Sequence, residues 1–383
     1  MIQSDFHRYG PWPSSKNLLK DLERSAQVTQ TIISQLRPGQ ERVALLPNLN
    51  PLNWEFGHLI WFHEFWVHRK GSVSEPCLFA DADILFNSSE IVHDDRWQVS
   101  LPSIDVLMNY FVDVMERTFL ILRSESISSE QNYFIQLALY HQDMHNEAFA
   151  YMWQSLSYEW PLKERLGSVK SDNTDSEGPY IAMPECQLDL GSAPNSGFLF
   201  DNEKWQHEVT IPSFSISSRA VNNSEYLVFL ESLISSGKSA SEYQPAYWKK
   251  EGEKWYERFF NQWSELNLAA PVRHVSALAA EQYCLWRGVR LPSENELCLM
   301  MTRSNIHWVP SNLWEWTSST FKPFEGFSSD PYQDYSAPWF DDQYRVLKGW
   351  SAYTPDYLRR PQFRNFYLPS RNDFFCGFRT CLT

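Results

Sequence analysis

Up to about residue 160, apolar residues recur at three- and four-residue intervals, the spacing that turns one face of a helix toward a core. The pattern predicts helices over Ser15–Leu36, Trp54–Lys70, Ser103–Ser124 and Glu130–Leu156. Pro51 and Asn53 precede the second as start signals, and Ser103 follows Pro102 at the start of the third. Four such segments suggest an antiparallel bundle, in which sites are built from side chains on facing helices. The texture then changes. Residues Leu166 to Gly178 are polar and turn-rich and read as a linker. Beyond them come short strand candidates broken by Gly, Pro, Asn and Ser, with helical patches at Asn223–Ser235 and Ala277–Arg287. The expected architecture is α+β: a helical bundle over 1–165, a linker over 166–178, and a mixed, loop-rich domain over 179–383. No internal repeat is visible.

With 383 residues, the chain is long enough for two cores. Its net charge of −14, with no cluster of Lys or Arg, argues against nucleic acid and anionic membranes as partners and favours small substrates. The six cysteines, Cys77, Cys186, Cys284, Cys298, Cys376 and Cys381, form no CxxC pair. They suit reduced core thiols of a cytoplasmic protein. The N-terminus lacks a signal-peptide pattern and no stretch reaches the length of a membrane span, so a cytosolic location is expected. Aromatic residues make up 16% of the chain, with 17 Trp; most are expected to pack in the core, while Trp and Tyr can also line pockets.

The strongest chemical signal is His141-Gln-Asp-Met-His145-Asn-Glu147, an HxxxHxE run within the fourth helix. Histidines four apart share a helix face, so both imidazoles can reach one metal ion. A third ligand must come from another element. His58, after Gly57, is a candidate, and His63 and His68 are not excluded by pattern. Imidazole-rich sites with open positions suit iron, zinc or copper. The alternative is a pair of polar residues on a solvated helix face.

In the second half, Phe200-Asp-Asn-Glu203, Val221-Asn-Asn-Ser-Glu-Tyr226, Gly288-Val-Arg-Leu-Pro-Ser-Glu294, Leu313-Trp-Glu-Trp-Thr317 and Cys376-Gly-Phe-Arg379 together resemble the formylglycine-generating-enzyme (sulfatase-modifying factor) fold, a C-type-lectin-like domain. The first half, through Gly57-His58 and the HxxxHxE helix, resembles the DinB-like four-helix bundle. The combination resembles the ergothioneine-type sulfoxide synthases, non-haem iron enzymes that use O₂ to join a chalcogen to the imidazole of a histidine derivative. The resemblance implies Fe(II) held by His58, His141 and His145, with O₂ as co-substrate and Glu147 orienting a ligand. The formylglycine enzymes proper use a cysteine pair near the segment that here reads Lys348-Gly-Trp-Ser-Ala-Tyr353. No cysteine occurs between Cys298 and Cys376, so that activity is not expected. A structural Ca²⁺ in the lectin-like domain is a further ion the fold class accommodates, although no residues assign it.

Tyr332 and Tyr335 match the family's YxxY segment, whose first tyrosine the resemblance implies as proton donor; the alternative is ring packing in an aromatic loop. Asn365 matches a residue that holds the histidine-derived substrate, with Phe366 able to face a trimethylammonium group. Asn365 could instead cap a turn. In members that take γ-glutamylcysteine, an Asp and an Arg bind the donor's charged ends. Here the Asp position is Tyr367, while Arg371 is kept. Met144 replaces a glutamine often found before the second histidine, and Arg96 sits near another donor-binding arginine, with pairing to Asp94 or Asp95 as its alternative.

The HxDMHxEAF helix and the Ala80-Asp-Ala-Asp-Ile-Leu-Phe-Asn-Ser88 loop are most similar to the selenoneine synthases. That likeness implies hercynine (trimethylhistidine) and a 1-selenosugar as substrates. A sugar has neither carboxylate nor ammonium, which fits the missing Asp and the wealth of Trp and Tyr. An ergothioneine-type enzyme using cysteine or γ-glutamylcysteine is the near alternative. The distant one is a non-catalytic lectin-like module stabilised by a structural metal.

Overall fold

A computed structural model describes residues 10–124, 126–162 and 179–383; the expected linker at 166–178 lies outside the described residues. The chain divides into two compact units. The first runs to Met152 and includes Pro194–Leu199 and Asp330–Asp334. The second comprises Trp153–Ala193, Phe200–Ser329 and Tyr335–Thr383. The two short inserts fall inside the domain expected over 179–383, yet they group with the helices because their rings pack there. Phe198 meets Tyr133 and Tyr140 at centroid distances of 5.2 and 4.9 Å, and Tyr332 meets Phe62 at 4.9 Å.

The first unit contains α1 (Ser15–Ser34), α2 (Leu52–His63), the short α3 (Ala82–Phe86), α4 (Ile104–Leu122) and α5 (Ser129–Leu156), the last belonging to it up to Met152. Ser14 and Ser103 cap α1 and α4, their side chains accepting from Asn17 N–H and Val106 N–H. The helix expected over Trp54–Lys70 is interrupted: α2 ends at His63 and a π-helical turn covers Glu64–His68. The wider turn buries Glu64, which accepts from the Tyr110 hydroxyl and from Leu78 N–H. α2 is buried along nearly all its length, so it is the central helix of this unit. α5 is tied to α1 by side chains. Ser25 Oγ donates to Asp143 at 2.7 Å, Thr29 Oγ1 to Asn146 at 2.8 Å, and Gln142 Nε2 to Thr29 Oγ1 at 3.0 Å.

The second unit is built of short strands and three helices, α6 (Asn223–Ser235), α7 (Ala277–Arg287) and α8 (Glu294–Thr302). The first two match the expected patches, while α8 was hidden by its short length. One sheet has the order β1 (Tyr180–Met183), β4 (Phe214–Ser217), β13 (Cys381–Leu382), β8 (Val289–Arg290); β2 (Cys186–Leu190) and β3 (His207–Ile211) form a separate hairpin. A meander joins β5 (Trp248–Glu251), β6 (Lys254–Phe259) and β7 (Gln262–Glu265). The remaining sheet runs β11 (Asn365–Tyr367), β10 (Arg345–Gly349), β9 (Trp314–Thr320), β12 (Cys376–Gly377), with Val346 opposite Phe366. Met183, Ile211, Phe214, Ile216, Leu297, Leu299 and Met300 make a core under the first sheet and α8.

The motifs quoted above for the second half prove to be architectural. Asn222 and Glu225 form a capping box on α6, and Ser293 and Glu296 another on α8. Glu315 and Arg379 form a buried pair, Nε to Oε2 2.5 Å and Nη2 to Oε1 2.8 Å, with Arg379 also donating to the carbonyls of Ser217 and Val309. Glu294 holds Arg364 through two bonds of 2.7 and 3.0 Å. All six cysteines are free, as expected, but only four are buried; Cys77 and Cys186 are half-exposed. Among the described residues no helix is long and apolar enough to cross a membrane.

Removing one partner of a buried pair strands the other charge in a low-dielectric interior. Glu315→Leu is therefore expected to lower the stability of the second unit by about 3–5 kcal/mol, read from urea denaturation.

Candidate metal centre

Three histidines converge inside the first unit. His58 comes from α2, and His141 and His145 from α5, one turn apart. One ring nitrogen from each lies within 4.8 Å of the others. His58 and His141 are buried and His145 nearly so, which removes the solvated-face alternative. His63 and His68 turn elsewhere, both meeting Thr118 Oγ1 on α4 at 2.9 Å, so the third histidine of the cluster is His58.

The outer nitrogens explain why the inner ones face each other. His58 Nδ1 donates to the Phe86 carbonyl at 2.8 Å, which leaves Nε2 with a lone pair. His145 Nδ1 donates to Glu55 Oε1 at 2.7 Å, with the same consequence. His145 Nε2 lies 3.1 Å from His141 Nε2, while His141 Nδ1 is buried with no partner. With the protons of His58 and His145 on Nδ1 and that of His141 on Nδ1 as well, a cation among the three inner nitrogens would accept electron density from each lone pair. Burial, reinforced by His145, pushes His58 down to about 3, and burial with the neighbouring His145 and His58 holds His141 well below the usual histidine range. Both stay neutral, the form that ligates metal. The donor set of three imidazoles therefore fits a divalent transition ion with open positions, as the resemblance implies for Fe(II).

Around the histidines lies a second layer of named contacts. Burial alone would raise the Glu55 carboxyl, but His145 and the Asn50 amide, at 2.6 Å, outweigh it and bring Glu55 down to about 2. Asn50 Oδ1 accepts from Arg96 at 2.7 Å, Arg96 lies 3.7 Å over the Trp54 ring, and Trp54 stacks on His58 at 5.0 Å. Phe62 stacks on His141 at 3.5 Å. Gly57 is required by this packing, since a Cβ there would lie 2.1 Å from the Phe86 ring.

Known proteins resemble the chain as a whole. A model described as the sulfatase-modifying factor enzyme 1-like domain matches residues 167–300. The chain is similar to hercynine oxygenase of Mycolicibacterium smegmatis, 26% identical across 87% of this chain and 91% of that protein. It is 25% identical to hercynine oxygenase of Mycobacterium tuberculosis over the same shares. Ergothioneine biosynthesis protein 1 of Schizosaccharomyces pombe is 24% identical across 70% of this chain and 42% of its own length. These likenesses support a place in the ergothioneine-type sulfoxide synthase superfamily.

The other candidate residues divide between the units. Tyr332, in the first, stands edge-on to Phe62 and to His141, 6.3 Å from the latter. Arg96 is engaged by Asn50 and the Ile91 carbonyl instead of Asp94 or Asp95. Met144 is half-buried on α5. In the second unit Tyr335 stacks on Phe200 at 4.0 Å and meets the edge of Phe366. One face of Phe366 is covered by Phe321 at 3.9 Å. Asn365 Oδ1 accepts from the N–H of Phe366 at 2.9 Å. Tyr367 packs on Phe374, and Arg371 lies over its ring while gripping Asp373 at 2.6 and 3.0 Å.

The carboxylate on His145 is Glu55, which sequence reasoning did not single out. Its signal was present: Glu55 stands three residues before His58, one helical turn away on the same face. Asn50, Phe86 and Phe62 carry no such signal.

Glu55→Gln keeps the shape but weakens the acceptor on His145. It is expected to reduce metal affinity about 10–100-fold, measured by chelator competition, with helical content unchanged.

Proposed function

We propose that this protein is an Fe(II)- and O₂-dependent enzyme that joins a 1-selenosugar to the imidazole C2 of hercynine. The observation that carries the reading is the convergence of His58, His141 and His145 with their lone pairs turned inward, in a chain similar to hercynine oxygenases. In the balanced reaction the donor Se–H and imidazole C2–H bonds break and a C–Se bond forms. O₂ accepts four electrons: one oxygen ends on selenium as the selenoxide, the other leaves as water with both protons. When bound, Fe(II) would supply the open positions at which donor and O₂ meet.

The chain's own groups have distinct tasks in this reading. Glu55 holds the proton on His145 Nδ1, fixing the ring. The Trp54 and Phe62 rings keep water from the imidazoles. Tyr332 holds a proton on its phenol beside His141 and gives it up as oxygen is reduced, the role of a general acid. Asn365 receives the carboxylate or imidazole of hercynine, and Phe366 its trimethylammonium group.

Choice of a neutral donor is supported by the arginines. Arg371 is taken by Asp373 and stacked on Tyr367, which stands in place of the clamp Asp. Arg96 is taken by Asn50 and Trp54. Similarity to ergothioneine biosynthesis protein 1 favours a second reading: the same reaction with cysteine or γ-glutamylcysteine, giving a sulfoxide.

The test is anaerobic loading with Fe(II), then O₂ with hercynine and each donor in turn, with products followed by mass spectrometry. Hercynine consumed only with the selenosugar is the expected result. Turnover only with a thiol amino acid would move the donor to the second reading. No turnover with any donor, together with a closed zinc site, would leave a metal-stabilised binding module. His141→Ala should abolish O₂ use with the fold intact. Tyr332→Phe should lower kcat about 10²–10⁴-fold with little change in hercynine binding.

A further inference from the structure

A cavity of about 300 Å³ lies within the first unit beside the histidines. Its walls are of two kinds. On one side are the rings of Trp61, Phe62, Phe65 and Trp66, and Tyr332 closes over them. Trp61, Phe62 and Trp66 are buried, and Gly71 leaves room for the Trp66 ring, since a Cβ there would come within 2.7 Å of it. On the other side are hydroxyl, amide and carboxylate groups of the 87–90 loop and of Gln333 and Asp334, most of them exposed at the rim. The Ser89 hydroxyl donates to Asp334, which ties the Tyr332 segment to that loop. Two lining residues, Phe62 and Tyr332, are the same rings that contact His141.

The charge of this lining is as informative as its shape. Among the described residues it contains Glu90 and Asp334 and no Lys, Arg or His. An amino-acid thiol would bring at least one carboxylate toward those two, with no cation to receive it. A quaternary ammonium would suit the rings and the carboxylates, but it forms no hydrogen bonds and would bury the amides and hydroxyls unanswered. A pyranose answers both walls. Its C–H face lies against the negative faces of aromatic rings, and its hydroxyls donate to carboxylates and exchange bonds with amides. The volume is at the small end for ligand sites, suited to a single sugar ring.

We propose that the aromatic–polar cavity of Trp61, Trp66, Tyr332, Gln333 and Glu90 is the subsite for the sugar ring of the chalcogen donor. This rests on the reading that the donor is a sugar, and it adds where the ring sits and what selects it. The sugar lies on the aromatic wall with its chalcogen-bearing carbon toward Tyr332 and the histidines.

The test is isothermal titration calorimetry of the full chain, loaded with Fe(II) without O₂, using 1-thio-β-D-glucose, γ-glutamylcysteine, cysteine and tetramethylammonium as probes. Gln333→Ala and Glu90→Arg change rim side chains, and circular dichroism and iron content check that fold and metal site persist. The thiosugar should bind the wild type and lose affinity about fivefold in Gln333→Ala. Glu90→Arg should weaken the thiosugar and tighten γ-glutamylcysteine. Thiosugar binding unchanged in both variants would overturn the subsite while leaving the sugar donor standing. Binding of cysteine but not thiosugar by the wild type would overturn the sugar donor and the subsite with it. Tetramethylammonium binding that both variants abolish, with the thiosugar unaffected, would assign the cavity to a cation and overturn the inference.

Discussion

The rotation of α5 about its own axis is the constraint on which the metal centre depends. Each residue turns a helix by about 100°, so a shift of one position would carry His141 and His145 away from His58. What prevents it is the polar seam on the other side of the helix. Asp143 and Asn146 are buried against Ser25 and Thr29 of α1, and Gln142 joins them. Rotating α5 would leave these groups without partners in a dry interior, a cost that hydrophobic contacts tolerant of sliding could not impose. Glu55 then locks the opposite side by holding His145 from α2. The two histidines are thus clamped between a polar seam behind them and a carboxylate in front.

Much of this was legible in the sequence because it is local. Helix periodicity located four long helices to within a few residues, and the four-residue spacing of His141 and His145 placed them on one face. The π-helical turn at Glu64–His68 was not legible, because it depends on Glu64 being buried with Tyr110 and Leu78, contacts from distant parts of the chain. The same holds for the choice among His58, His63 and His68. It was made by Phe86 and Thr118, residues whose neighbourhood exists only after folding. The supporting shell of Asn50, Glu55 and Arg96 is spread over nearly fifty residues of chain, so no short pattern announces it.

In the second unit the motifs that carried the fold resemblance are capping boxes and buried ion pairs, not chemistry. Glu315 with Arg379 and Glu294 with Arg364 tie short strands and loops together beneath a layer of buried rings that includes Trp314, Trp316 and Phe374. Such pairs demand one arrangement, because a displaced partner leaves a bare charge inside. This rigid frame presents β11 and its neighbours, Asn365, Phe366 and Tyr367, at the end of a sheet.

The three histidines are chemically identical in sequence, yet the fold makes them unequal. His145 is backed by a carboxylate, His58 by a peptide carbonyl and His141 by no polar group, only the flat face of Phe62. A carboxylate accepting the Nδ1 proton lends the ring partial imidazolate character and makes it the strongest electron donor of the three; the carbonyl does so less, and an apolar backing hardly at all. An ion held there would meet graded ligand fields from one residue type. That inequality is set by what backs each ring: a carboxylate, a peptide carbonyl and an aromatic face.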